Sequence, residues 1–210
     1  MEFSIGRSAL LDALGEALGV QARGKTAFLG RFQHLQRLHL VQGINPGRGK
    51  SAEYQAFQML VIALAMQMLQ LGLPPERVVR LLHDNRQTVE RSLIEAVPTP
   101  DDLAPSVIFY DPAVLSVLGD GAEAVPFVDQ TFDCAGAETL SAMIEQFVVN
   151  GVVPRLALIN VAGTISAIKD ALWDFPCDRD GEGASLPEQG AASALFHISL
   201  HDWAVDCGMG

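Results

Sequence analysis

The chain has 210 residues, of which 49% are hydrophobic and 19% are charged, a balance that excludes a globally disordered protein. The longest unbroken apolar run, Met59 to Met66, is far short of the roughly 20 residues that a membrane-spanning helix needs. The first residues mix acids into an apolar stretch and lack a basic start, so we predict no secretory signal. Three cysteines without tight spacing favour free thiols and a cytoplasmic location.

Charge is divided unevenly along the chain. The formal net charge is -11, yet residues 1–100 carry 11 Lys and Arg against 8 Asp and Glu, whereas residues 101–210 carry 3 against 17. No acidic residue lies between Glu16 and Glu53. That window contains six cationic residues, namely Arg23, Lys25, Arg31, Arg37, Arg48 and Lys50. A positive segment within an acidic chain is typical of a surface that contacts phosphates.

The hydrophobic pattern of the first hundred residues predicts mainly helices. The first helix is predicted from Ser8 to Leu18, with Ser8 as the N-cap and Gly19 just after the C-terminus. A second helix is predicted from Thr26 to Val41, in which Gly30 is a candidate break because glycine is a poor residue for a helix interior. This second helix carries most of the cations of the acid-free window.

A basic turn and two further helices follow. Val41 to Ile44 and Ser51 to Tyr54 are predicted to pair as a small hairpin with a glycine-rich tip. The apolar run from Glu53 to Leu71 predicts a central core helix that Gly72 ends. Pro74 and Pro75 then begin a helix that continues to about Ala96.

The prolines Pro98 and Pro100 mark the best candidate for a domain boundary. We therefore predict a mainly helical domain over residues 1–98 and an acidic α+β domain over residues 104–210. Strands are predicted at Ser106–Tyr110, Ala113–Leu118, Ala124–Val128 and Arg155–Ile159, helices at Ala137–Asn150 and Gly163–Trp173, and an exposed acidic loop over 174–194. The last apolar segment, residues 195–205, fits either a strand or a helix.

Several short motifs of the first half occur in a known order. They are Arg37 on a basic helix, the segment Gly43-Ile44-Asn45-Pro46-Gly47-Arg48, Tyr54 before the long helix, and Gln70-Leu71-Gly72-Leu73-Pro74-Pro75-Glu76. Over about residues 20 to 96, these features resemble the MerR-type winged helix-turn-helix family. The resemblance implies a winged helix-turn-helix fold, in which Arg37 lies on the recognition helix and the Gly-Pro-Arg segment forms the wing.

The residues also predict DNA binding on physical grounds. Side chains of the second helix, namely Arg31, Gln33, His34, Gln36 and Arg37, have donors that suit base edges in a major groove. From these we predict that Arg31, His34, Gln36 and Arg37 face the groove, and that Arg23, Lys25, Arg48 and Lys50 contact phosphates. The resulting hypothesis is a cytoplasmic, sequence-specific transcriptional regulator, without enzymatic activity or cofactor, that binds double-stranded DNA as a homodimer.

The second half is predicted to serve dimerisation, or to bind a protein partner or a small ligand. An alternative function of a different class is a phage-type adaptor for DNA packaging or structure that uses the same helix-turn-helix. A further alternative is a nucleotide-binding P-loop ending at Gly49-Lys50-Ser51, although Ile44 stands where that loop has its first glycine.

Two other sets of reactive residues have weaker patterns. His197 and His201 are four residues apart, with Cys177 and Cys207 near them in sequence, but we predict ordinary histidines and no metal site. Cys134 stands beside Asp133 without a basic neighbour in sequence, so we predict no catalytic thiol.

Overall fold

The structure of the protein is a computed structural model that describes residues 2–41, 44, 52–99, 102–112, 132–150, 156–175 and 189–208. The described elements of the first half are β1 Ser4–Gly6, α1 Arg7–Ala17, a 3-10 turn Ala22–Gly24, α2 Lys25–Arg37, β2 Glu53–Gln55, α3 Ala56–Gln70, α4 Pro75–Asp84 and α5 Arg86–Ala96. Those of the second half are β3 Ser106–Tyr110, β4 Asp133–Gly136, α6 Ala137–Asn150, β5 Ala157–Asn160, α7 Val161–Ala171 and α8 Ala191–Gly208. The described chain is a mixed α+β protein dominated by helices, in agreement with the predicted class.

Helix α1 begins and ends one residue earlier than predicted, at Arg7 and Ala17. Gly6, in an extended conformation, is the N-cap in place of Ser8. Gly19 follows the helix at a φ of +66°, a conformation that glycine adopts without the steric cost of a side chain. Leu10, Ala13 and Leu14 are buried on the inner face of the helix.

Helix α3 is the central core helix that the sequence predicts. It begins at Ala56, because the preceding residues 53–55 are extended, and a capping box joins Gln55 to Gln58. Met59, Leu60, Ala63 and Leu64 have no exposed surface. The helix therefore contacts neighbours on almost every side.

The helix predicted from Pro74 to Ala96 is instead two helices, α4 and α5, which meet at Asn85. The side-chain amide of Asn85 donates to the carbonyl oxygen of Leu81 at 2.9 Å. Its backbone has a φ of -110° and a ψ of 29°, outside the helical range, and its carbonyl oxygen accepts from the backbone nitrogen of Val89 in the first turn of α5. The backbone nitrogen of Asn85 donates to the same Leu81 oxygen at 3.1 Å, so main chain and side chain together close the end of α4 at this residue.

Strand β2 pairs with the N-terminal strand β1, whereas the predicted hairpin places it beside residues 41–44. The pairing is antiparallel, with Ile5 opposite Tyr54. Both of these side chains are buried, whereas the residues beside them in each strand are exposed. Val41 and Ile44 are described and neither belongs to a strand. Burial of the Ile5–Tyr54 pair against the core selects the N-terminal partner.

The second sheet has the strand order β4-β3-β5, and both pairings are antiparallel. Strand β3 and helix α6 have the predicted bounds, and β5 and α7 are shifted by about two residues. Strand β4 was not predicted, and the ambiguous C-terminal segment is the long helix α8. The predicted strands Ala113–Leu118 and Ala124–Val128, and residues 176–188 of the predicted acidic loop, lie outside the described residues.

Helix α8 packs against the first half of the chain. The ring of Phe3 meets the ring of Phe196 edge-on with centroids 5.3 Å apart, and Phe57 stacks on Trp203 at 4.2 Å. The backbone nitrogen of Phe3 also donates to Oγ of Ser199 at 2.9 Å. Residues from both sides of the predicted boundary near residue 100 therefore belong to one hydrophobic cluster.

Among the helices that the structure describes, none has the length and apolarity needed to cross a membrane.

Candidate nucleic-acid interface

Helix α2 is continuous from Lys25 to Arg37, with no break at Gly30. Its inner face contributes Phe28, Phe32 and Leu35 to the core, and these three side chains hold it on the body of the protein. A Cβ atom added at Gly30 would meet nothing within 4 Å, so the glycine is not required by packing within the described structure. The opposite face of α2 is left to solvent.

Four of the predicted cations are described, and all four are exposed. Arg23 lies in the 3-10 turn, and Lys25, Arg31 and Arg37 lie on α2. Within the described part of the chain, none of the four forms a salt bridge with a carboxylate. Their charges are therefore available to an external anion.

His34, a predicted groove-facing residue, has a partner on a neighbouring helix. Its Nε2 atom lies 3.1 Å from Oε1 of Glu76, in the first turn of α4. The two side chains are 39% and 63% exposed, so the pair stands at the surface. The sequence did not predict this contact, because the two residues are 42 positions apart.

Gln36 turns toward the protein on the other flank of α2. Its Nε2 atom donates to the hydroxyl of Tyr54 in β2 at 2.6 Å. Burial raises the pKa of Tyr54, while the positive charge of Arg7 and the bond from Gln36 act in the opposite direction. Arg7 itself lies over the ring of Phe32, with its Cζ atom 5.6 Å from the ring centroid.

The residues predicted to face the groove do not share one face of α2. Each helical residue is rotated by about 100° from the last, which places Arg31 about 120° around the axis from Arg37. The outer face, as we name it, consists of Thr26, Gly30, Gln33 and Arg37, which are all exposed. Gln33 is absent from the predicted set of groove-facing residues. It lies one turn before Arg37, and this i, i+4 spacing in the sequence places both residues on the same face of the helix.

The basic segment that carries Arg48 and Lys50 lies outside the described residues. Val41 before it and Ala52 after it both pack against the hydrophobic core. On the α2 side, Nε2 of His83 at the end of α4 lies 3.2 Å from the carbonyl oxygen of Leu40. Both residues that flank the segment are therefore in contact with the core.

The surroundings of Gly49-Lys50-Ser51 differ from those of a P-loop. A P-loop follows a strand and leads directly into a helix. In this chain the preceding described element is α2, and the following one is β2, which pairs with β1 before α3 begins at Ala56.

The histidines of the second candidate site lie on α8 and have protein neighbours. Nδ1 of His197 is 3.0 Å from Nζ of Lys169, and Nδ1 of His201 is 3.7 Å from a carboxylate oxygen of Asp202. Cys177 is outside the described residues. Among the residues that are described, no group of three or more His, Cys, Asp or Glu has the arrangement of a metal site.

The tertiary structure supplies the basic neighbour that Cys134 lacks in sequence. Nε of Arg91 in α5 donates to Sγ of Cys134 at 3.0 Å, and the same guanidinium pairs with Asp133. Burial nevertheless raises the pKa of Cys134, an effect that exceeds the opposing influence of Arg91. The thiol is therefore held in its protonated, less nucleophilic form.

Comparisons of this chain with protein-family models, with curated proteins and with solved structures found no match.

Proposed function

We propose that this protein is a sequence-specific transcriptional regulator that binds double-stranded DNA through the outer face of α2 and the basic segment 42–51. The observation that carries the proposal is the exposure of Arg23, Lys25, Arg31 and Arg37 within an acid-free window of an otherwise acidic chain. Cationic side chains are attracted to the phosphates of any DNA sequence. This attraction provides affinity without sequence preference.

Sequence preference requires donors that reach base edges. Arg37 and Gln33 lie one turn apart on the outer face, and neither side chain has a partner in the described part of the chain. Arginine pairs with two acceptors of guanine and glutamine pairs with adenine in the major groove, which is wide enough for an α-helix. In this proposal Arg37 and Gln33 read bases, and Lys25, Arg23 and Lys50 contact phosphates.

The attachment of α2 to the protein supports the same use of the helix. Gln36 donates to Tyr54 of β2, and Phe28, Phe32 and Leu35 pack in the core, so α2 is oriented before any ligand arrives. A helix that is already oriented loses little freedom on binding, which favours affinity.

The winged helix-turn-helix fold and the homodimer belong to the same proposal. One recognition helix contacts too few base pairs for useful specificity, so two copies on related half-sites are expected. The acidic second half carries 3 Lys and Arg against 17 Asp and Glu, so DNA repels it. In this proposal it serves dimerisation or binds a protein partner or a small ligand.

Selection of bound fragments from a random DNA library, followed by fluorescence anisotropy, tests the proposal. We expect Arg37→Glu to reduce affinity for the selected sequence much more than for random DNA. We expect Lys50→Gln to weaken binding to both and to reduce the salt slope by about 1. The control is Arg86→Glu, because Arg86 lies on α5, is 72% exposed and pairs with Glu90.

Three outcomes decide between the functions. A regulator is supported if Arg37→Glu loses affinity mainly for the selected DNA while Arg86→Glu binds DNA about as well as the unchanged protein. Binding that is equally strong for selected and random DNA favours the packaging or structural adaptor. If neither Arg37→Glu nor Lys50→Gln alters affinity for DNA, the proposal is wrong.

A further inference from the structure

Glu76 places a carboxylate beside the cationic surface of α2. It belongs to the first turn of α4, follows Pro74 and Pro75, and is 63% exposed. A carboxylate at this position suits the positive end of the helix dipole, so its presence has a structural reason in α4 itself. Its orientation toward α2, however, is not required by α4.

The partner of Glu76 is His34, one of the side chains expected to meet DNA. Nε2 of His34 and Oε1 of Glu76 are 3.1 Å apart, close enough for the imidazole and the carboxylate to attract each other. An imidazole held against a carboxylate in this way is not offered to a phosphate or a base. Because both side chains are partly exposed, water weakens the pair, and an external anion competes with Glu76 for the same nitrogen.

We propose that Glu76 is a positioning residue that limits the affinity for DNA by holding His34 against α4. The inference rests on the proposed function, because it concerns the same surface. Release of His34 from Glu76 adds one donor to the interface near Arg31 and Arg37, which stand three residues before and after it on α2. Glu76 thus restricts tight binding to DNA sequences that bind His34 in competition with its carboxylate.

The test measures the dissociation constant of the full chain for a fluorescein-labelled duplex of random sequence. Glu76→Gln is expected to lower that constant about fivefold, the upper end of the effect expected from one exposed ion pair. A merely structural role for Glu76 would not lower the dissociation constant.

Two matched variants separate this mechanism from a general charge effect. Glu90→Gln removes the same charge from an acid that pairs with Arg86 on α5, and it should change the dissociation constant by less than about twofold. In a His34→Ala background, Glu76→Gln should have no further effect, because the side chain that it releases is gone. Thermal unfolding of each variant verifies that the comparison is made between folded proteins.

Contrary results are equally specific. The inference is wrong if Glu76→Gln leaves the dissociation constant unchanged or raises it. It is also wrong if Glu90→Gln acts as strongly, or if the gain persists in full without His34. The proposed function fails separately, when neither Arg37→Glu nor Lys50→Gln alters the affinity for selected or random DNA.

Discussion

The side-chain amide of Gln36 lies 2.6 Å from the hydroxyl oxygen of Tyr54, and this bond fixes α2 to β2. Tyr54 is almost completely buried, and its ring also packs near Phe32 of α2. The bond therefore connects the proposed recognition helix with the strand that follows the basic segment. Gln36, which is predicted to face the groove, donates to Tyr54 in this structure.

Replacing Tyr54 with Phe should destabilise the protein by about 1 kcal/mol, because the part-buried amide of Gln36 loses its acceptor while the ring contacts remain. Urea unfolding measures the free energy. In a double-mutant cycle, Tyr54→Phe should cost much less in a Gln36→Ala background, where no amide is left unpaired. Equal costs in the two backgrounds would show that the bond does not contribute to stability.

Gly30→Ala is expected to stabilise the protein by about 1 kcal/mol, since alanine favours a helix and nothing lies within 4 Å of the new Cβ atom. If the outer face meets DNA, the same methyl group separates the helix backbone from the duplex and weakens binding. Thermal unfolding and fluorescence anisotropy measure the two effects.

The matched control for Gly30 is Gly15, which lies inside α1 with equally open space around a new Cβ atom. Gly15→Ala should bring the same gain in stability without any change in DNA affinity. If the two variants bind DNA with equal affinity, Gly30 does not lie in the DNA interface.

Tyr110→Phe should leave stability at neutral pH unchanged or raise it by up to about 1 kcal/mol. The hydroxyl of Tyr110 is buried, and it has no hydrogen-bond partner among the described residues. A loss of more than about 1 kcal/mol in urea unfolding at neutral pH would instead reveal a partner for this hydroxyl.

The same variant should differ from the unchanged protein in alkaline solution. Burial raises the pKa of Tyr110, against a smaller opposing influence of Arg77. An acid whose pKa is raised by folding contributes stability below its unfolded pKa of about 10 and loses that contribution as pH rises further. The unchanged protein should therefore lose stability relative to Tyr110→Phe above about pH 10. If the free energies of unfolding of the two proteins change in parallel with pH, the raised pKa of Tyr110 is contradicted.

Cys134 should resist alkylation in the folded protein, whereas Cys207 should react first. Cys134 is buried and its pKa is raised by that burial, while Cys207 is exposed on α8. Peptide mapping by mass spectrometry after brief treatment with iodoacetamide distinguishes the two thiols. In urea both should react at similar rates, and rapid labelling of Cys134 in the folded state would contradict its protonated, enclosed environment.

Local signals in the sequence accounted for most of the elements. Gly19 and Gly72 end their helices at positive φ, the apolar run after Ala56 is the core helix, and α6 has the predicted bounds. These features depend on residues that are close together in the chain, where helical periodicity and terminal glycines act directly. The break at Asn85 was also local, but an asparagine within a periodic segment is compatible with a continuous helix as well.

The amino-acid sequence by itself determined that this is a mixed α+β chain with a cationic, acid-free segment on a helix near its start. Only the tertiary structure decided that β2 pairs with β1, that His34 meets Glu76, and that Arg91 reaches Cys134. Each of these contacts joins residues more than forty positions apart. No periodicity encodes such a pairing, because it depends on how packing of the buried faces brings distant elements together.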